Sequence, residues 1–170
     1  MEKSSIGGCK WKKTIVALYG SSGRGKSTAL KKFIHQLKKN KNFDFIKLDD
    51  DYSNEKHDIV AIFDYNGIKI GISTAGDIKK IIKDRVETCL IKKHDCKIIF
   101  TASRTKGETV SILEKISKEN KFQLEWIEKL YRTYDPIKKS IGTDKNIHLD
   151  KITELEVNYL MDYLINYLLK

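Results

Sequence analysis

Eight residues near the N-terminus, Gly20-Ser21-Ser22-Gly23-Arg24-Gly25-Lys26-Ser27, stand between two segments of opposite periodicity. Before them, Thr14 to Tyr19 (TIVALY) is a short apolar run with β-branched residues, bounded by glycine and serine, and it predicts a buried strand. After them, Lys26 to Lys39 carries Leu30, Phe33, Ile34 and Leu37 at helical spacing. A glycine-rich turn between a strand and a helix lets backbone N–H groups face inward as a concave anion nest. The helix start adds the positive end of its dipole. The order glycine, four residues, glycine, lysine, serine therefore points to a cradle for phosphate groups. In such a cradle Lys26 reaches the β- and γ-phosphates, the Ser27 hydroxyl ligates Mg²⁺, and Thr28 follows in the first helical turn.

The remainder of the chain alternates in the same way. Phe43 to Leu48 reads as a second strand and is followed by an acidic loop, Asp49-Asp50-Asp51-Tyr52. Ile59 to Phe63 and Ile68 to Ser73 flank Asn66-Gly67, a pair in which both residues accept positive φ, so they predict a hairpin. Asp77 to Lys93 is helical, with Ile78, Ile81, Ile82, Val86 and Leu90 on one face. Lys97 to Thr101 predicts another core strand, about Glu108 to Glu119 a helix, and Phe122, Leu124 and Trp126 a last strand. A long amphipathic helix from about Asp150 to Leu169 ends the chain. Strands alternating with helices imply an α/β domain with helices on both faces of a mainly parallel sheet and one antiparallel hairpin strand. With 170 residues, one proline and no low-complexity linker, residues 11–170 are expected to form a single domain behind a polar arm, residues 1–10.

The loop matches the Walker A pattern, and with it the chain resembles the P-loop NTPase superfamily over about its first thirty residues. The resemblance implies a three-layer fold and binding of a nucleoside triphosphate with Mg²⁺; it does not fix the reaction, since kinases, switches and ATPases share the element. Ser73-Thr74-Ala75-Gly76-Asp77 is similar to the D-T-A-G-Q segment of Ras-like small GTPases, in which the first residue senses Mg²⁺ and the glycine touches the γ-phosphate. That similarity implies a γ-phosphate contact for Gly76. Ser73 stands at the aspartate position, and Asp77 takes the place of the glutamine. Thr105-Lys106-Gly107-Glu108 lies only superficially near the family's guanine-specifying segment, arriving one unit early and ending in glutamate. ATP is therefore expected in preference to GTP.

Strand direction decides which acid serves the metal. If the second strand runs parallel to the first, the next returns from the phosphate edge, carrying Asp64 and the Asn66-Gly67 turn to the opposite edge. Ile68 to Ser73 then climbs again and delivers Asp77 beside the loop. Asp77 has two readings, which one residue could combine: it binds Mg²⁺ through water or positions an attacking water, or it is an N-cap for the helix beginning at Ile78. Asp64 is the acid if the strand directions are reversed. Arg104 reaches the same edge, either as a cation for the γ-phosphate or as a surface arginine. Arg24 sits inside the loop. Asp49, Asp50 and Asp51 either orient an acceptor hydroxyl, as in phosphotransferases of this superfamily, or form a solvated loop.

Composition sets the outer bounds. The net charge is +10, with 29 lysines and four arginines, which fits loose attraction to a polyanion or nucleic acid, or plain solubility, better than base-specific DNA reading. Cys9, Cys89 and Cys96 have no C-x-x-C spacing, and His94-Asp95-Cys96 reads as structural, so neither a disulfide frame nor a zinc site is expected. No apolar run spans a bilayer and no signal peptide is evident, which predicts a cytoplasmic protein without membrane contact. Three functions remain open: ATP hydrolysis with a nucleotide-dependent switch, γ-phosphoryl transfer to a nucleoside, nucleotide or polynucleotide 5′-hydroxyl, and nucleotide binding without turnover.

Overall fold

The computed structural model describes residues 12–51, 57–129 and 150–170, together with the backbone of 134–135, 140–141 and 145–149. The expected N-terminal arm, residues 1–10, lies outside the described residues.

Strand β1 (Thr14–Tyr19) is an interior strand of the sheet. Ile15, Val16 and Ala17 are all fully buried, because a strand covered by helices on both faces needs apolar side chains at every position. Helix α1 (Lys26–Lys39) follows, then β2 (Asp44–Leu48), β3 (Val60–Tyr65), β4 (Ile68–Ser73) and α2 (Lys79–Ile82). Strand β5 (Ile98–Ser103), α3 (Glu108–Asn120) and β6 (Gln123–Glu128) complete the central part. A two-stranded ribbon, β7 (Tyr134–Asp135) with β8 (Ser140–Ile141), precedes the C-terminal helix α4 (Lys145–Tyr163).

The six-stranded sheet has the order β2-β3-β4-β5-β1-β6. Strand β3 is antiparallel to both its neighbours, and β4, β5, β1 and β6 pair in parallel. The domain is thus α/β with a mostly parallel sheet and one reversed strand. Alternate side chains of the strands feed two cores. Val16, Leu18, Phe63, Ile72 and Phe100 meet α1 and α4 on one face; Ile15, Ala17, Ile62 and Ile99 meet α2 and α3 on the other. On the first face Phe33 packs edge-on against Phe100, with ring centroids 4.8 Å apart. The β3–β4 turn is the expected one: Asn66 (φ 51°) and Gly67 (φ 86°) are both left-handed. Asp64 caps it by accepting from the Gly67 N–H at 2.8 Å.

Two helices differ from expectation. The segment expected to be helical from Asp77 stays extended through Ile78 (φ −130°, ψ 131°), and α2 starts at Lys79 with no side-chain cap, so Asp77 does not act as an N-cap. After Ile82 the helix continues as π turns over Lys83–Lys93, and α4 likewise ends in a π segment, Leu164–Leu168. An apolar stripe at i, i+3, i+4 does not distinguish α from the slightly wider π winding. Strand β2 differs in burial. It is the sheet edge, Phe45 and Ile46 are exposed, and the Lys38 ammonium lies 4.0 Å from the Phe45 ring centre. At the other end of the sheet, Lys129 and Glu156 form a buried ion pair that ties the end of β6 to α4.

Candidate functional site

Topology alone singles out one crevice. Strands β1 and β5 are neighbours, yet the helices that follow them, α1 and α3, lie on opposite faces. At such a switch point the two connections part and leave a cleft beyond the carboxyl ends of the strands. The loop after β1 fills its floor. A cleft of about 400 Å³ is lined by Gly23 to Thr28, by Ala75 to Ile78 after β4, by Ala102 of β5, and by Asp58 and Ile81. Gly20, Ser21 and Ser22 belong to the same loop but do not line the cleft.

Backbone conformation gives the loop its shape. Gly23 (φ 72°) and Gly25 (φ 80°) are left-handed, which a side chain would disfavour. Gly25 is the N-cap of α1, and its carbonyl accepts from Ala29 at 2.9 Å. The preceding N–H groups of the first turn have no carbonyl within the helix to bond, so they are directed beyond its end. No acid occupies that first turn, while Lys38 and Lys39 sit in the last. Lys26 is 6% exposed, and its ammonium donates to the carbonyls of Gly20 (2.8 Å) and Ser21 (2.9 Å). Burial pulls its pKa below the usual lysine range; Asp77 opposes this, and Arg104 and Arg24 add to it.

A chain of hydrogen bonds joins the loop to the hairpin. The Ser27 hydroxyl donates to the Thr74 carbonyl at 2.8 Å, which leaves the serine oxygen's lone pairs available to a cation. The Thr74 hydroxyl accepts from the Ile59 N–H (2.8 Å) and donates to Asp58 Oδ1 (3.3 Å). Arg85 holds the other carboxylate oxygen at 3.7 Å. Asp58 is thereby fixed at the cleft, and the sequence reading did not single it out. It stands at the end of the β2–β3 connection, just before β3, which by its strand direction starts from this edge.

The other expected residues divide. Asp77 lies at the cleft, roughly half exposed, and pairs with Arg104 (Nε–Oδ1 3.5 Å). Arg104 itself does not line the cleft. Gly76 is buried against β5. Ser73 is fully buried, and its hydroxyl has no hydrogen-bond partner. Asp64, in the β3–β4 turn, is at the opposite edge of the sheet.

Asp49 and Asp51 do not line the cleft. Asp51 pairs with Lys93 at 2.9 Å, and Asp49, 1% exposed, meets Lys93 (3.0 Å) and His94 (2.5 Å). Burial works against the Asp49 carboxylate, but hydrogen bonds from His94, Lys93 and Cys89 outweigh it and hold its pKa at about 2. A value depressed on folding gives stability that is full above the unfolded pKa near 4 and is lost as the pH falls toward 2. Wild-type protein should therefore lose up to about 2 kcal/mol more than Asp49→Asn across that interval, read from urea unfolding. Equal pH slopes for the two proteins would disprove the assignment.

Among the described residues no helix is long and apolar enough to cross a membrane. Comparison of the chain with protein-family models, curated proteins and solved structures gives no match.

Proposed function

We propose that this chain is a P-loop NTPase that binds a nucleoside triphosphate, ATP by preference, with Mg²⁺ and hydrolyses it. The observation that carries this reading is the convergence of the Gly23–Thr28 loop, buried Lys26 and Ser27 with the Ala75–Asp77 segment around one cleft. The donor set suits the ligands. Inward-facing amides and an ammonium match phosphate, and the Ser27 hydroxyl with a nearby carboxylate supplies the hard oxygens that Mg²⁺ takes. A bound Mg²⁺ would neutralise charge on the β- and γ-phosphates. Lys26 would bind the same phosphates, and the Thr74–Asp77 stretch, tied to Ser27 through the Thr74 carbonyl, would respond to the γ-phosphate and switch the adjoining loop.

Phosphoryl transfer to an acceptor hydroxyl is the weaker reading. It needs an acid after β2 aimed at the cleft, and Asp49 and Asp51 are engaged with Lys93 and His94. The lysine-rich surface remains suited to a polyanionic acceptor or nucleic acid. Purified protein with Mg²⁺ and γ-labelled ATP separates the readings: free phosphate without acceptor supports hydrolysis, and label on an added nucleoside or 5′-hydroxyl oligonucleotide would overturn it.

Asp58 and Asp77 are the two candidate acids at the metal. Asp58 is oriented by Thr74 and Arg85, whereas Asp77 is solvated and paired with Arg104. Asp58→Asn should lower the Mg²⁺-stimulated turnover by about 100-fold, the scale of one lost charge interaction of about 3 kcal/mol, and Asp77→Asn by less. Asp64→Asn should leave it unchanged. A larger loss from Asp77→Asn would return the metal role to Asp77.

A further inference from the structure

Away from the cleft, the end of the π segment meets the end of β2. A carboxylate oxygen of Asp49, the Cys89 sulfur and a ring nitrogen of His94 lie within 4.8 Å of one another, and among the described residues this is the one group of three such side chains. Asp49 and Cys89 are buried at 1% and 0% exposure, and the His94 side chain is 12% exposed. The π winding is what makes the group: the His94 N–H donates to the Cys89 carbonyl at 3.0 Å, five residues back. A π turn brings residues five apart into hydrogen-bonded neighbourhood, whereas on an α-helix they lie on diverging faces. The Asp51 N–H donates to Asp49 Oδ1 at 3.2 Å and fixes the third member.

We propose that Asp49, Cys89 and His94 bind a zinc ion. Carboxylate oxygen, thiolate and imidazole are the ligand types zinc takes, and three protein ligands leave a fourth position for water. Tetrahedral bonds of about 2.0–2.3 Å place ligand atoms roughly 3.3–3.8 Å apart, within reach of side chains already this close. The place beside Asp49 Oδ2 is a cation position as it stands: the Lys93 ammonium is 3.0 Å from it and 2.9 Å from Asp51 Oδ2. Zinc takes over the contact with Asp49, and Lys93 stays on Asp51. On binding, the Cys89 S–H bond breaks, its proton passes to solvent, and the sulfur electron pair forms the Zn–S bond; the proton that His94 Nε2 shares with Asp49 is likewise released, leaving the neutral ring protonated on Nδ1 with the Nε2 lone pair free to form the Zn–N bond. The competing account is an ion-pair cluster that only pins the β2–β3 loop to the helix, with Cys89 as packing.

Cobalt substitution separates the two. Full-length protein freed of metal by chelation is titrated with Co²⁺ and then with Zn²⁺ against a chromophoric competitor. One equivalent of Co²⁺ with a sulfur-to-cobalt charge-transfer band, displaced by Zn²⁺, is the expected result. Cys89→Ser should abolish the band, His94→Gln should weaken Zn²⁺ binding by more than about 10-fold, and Cys96→Ser should retain both. Circular dichroism of each metal-free variant checks its fold, and His94→Gln keeps the test intact if Cys89→Ser unfolds. A spectrum without the sulfur band, or zinc uptake unchanged in both Cys89→Ser and His94→Gln, would overturn the site and leave the ion-pair cluster. Because none of the three ligands lines the nucleotide cleft, this outcome is independent of ATP binding.

Discussion

Lys26→Ala is expected to weaken triphosphate binding by about 100-fold or more and bring phosphate release to the background rate. Lys26 is 6% exposed and its ammonium is aimed by two carbonyls of its own loop, so its position is set before any ligand arrives. Its burial already costs charge stability, as the lowered pKa shows, and a polyphosphate would relieve that cost by bringing negative charge to a desolvated cation. A hydrogen bond involving a charged group contributes up to about 3 kcal/mol, so its loss alone weakens ATP binding roughly 100-fold. Removing the ammonium also leaves the Gly20 and Ser21 carbonyls without a donor. A calorimetric titration of Mg-ATP should therefore be paired with circular dichroism, which is expected to match wild type. Unchanged affinity and turnover in a folded Lys26→Ala protein would refute the site.

Much of this arrangement was readable from the sequence because short-range chemistry dictates it. Asn66-Gly67 accepts two positive φ values, so the hairpin was legible; with the second strand taken as parallel to the first, the direction of β3, the return of β4 and the placing of Asp64 at the far edge followed. The order of strands was not legible. That β5 lies between β4 and β1 depends on which apolar faces fit together, and TIVALY, IKIGIS and IIFTAS are all suitable for any central place. The winding of the helix after β4 was equally hidden, because Ile82, Val86 and Leu90 suit an α stripe as well as the π turns they adopt.

The same division runs through the sites. The glycine-rich loop is contiguous, so eight residues carried its geometry, and the structure brings Gly23 to Thr28 together with Asp77 at one cleft as strand direction required. Asp58 was missed because its role comes from Thr74 and Arg85, one on the neighbouring strand's exit and one on a helix. His94 looked incidental beside Asp95 and Cys96 for a similar reason. Its partners are Cys89, one π turn earlier, and Asp49, some 45 positions away, and neither spacing is a recognised ligand pattern.

Gly76→Ala should be among the most destabilising single changes in the molecule. A Cβ built on Gly76 would stand 2.0 Å from the Ala102 carbonyl oxygen and 2.2 Å from its carbon, and a strand backbone cannot rotate aside as a side-chain tip can. The Ser73–Asp77 stretch would have to lift from β5. Overpacking of this kind costs about 3 kcal/mol, which for a domain of this size lowers Tm by about 6–12 °C. Gly23→Ala is the informative contrast. Nothing lies within 4 Å of its added Cβ, so its cost is the left-handed φ of 72° alone, roughly 1 kcal/mol. Thermal unfolding of both proteins should therefore rank Gly76→Ala well below Gly23→Ala, while nucleotide binding should suffer in both: in the first because Thr74 no longer orients Ser27, in the second because the anion nest is reshaped. If Gly76→Ala melts within about 2 °C of wild type, the segment after β4 does not approach Ala102 of β5 so closely.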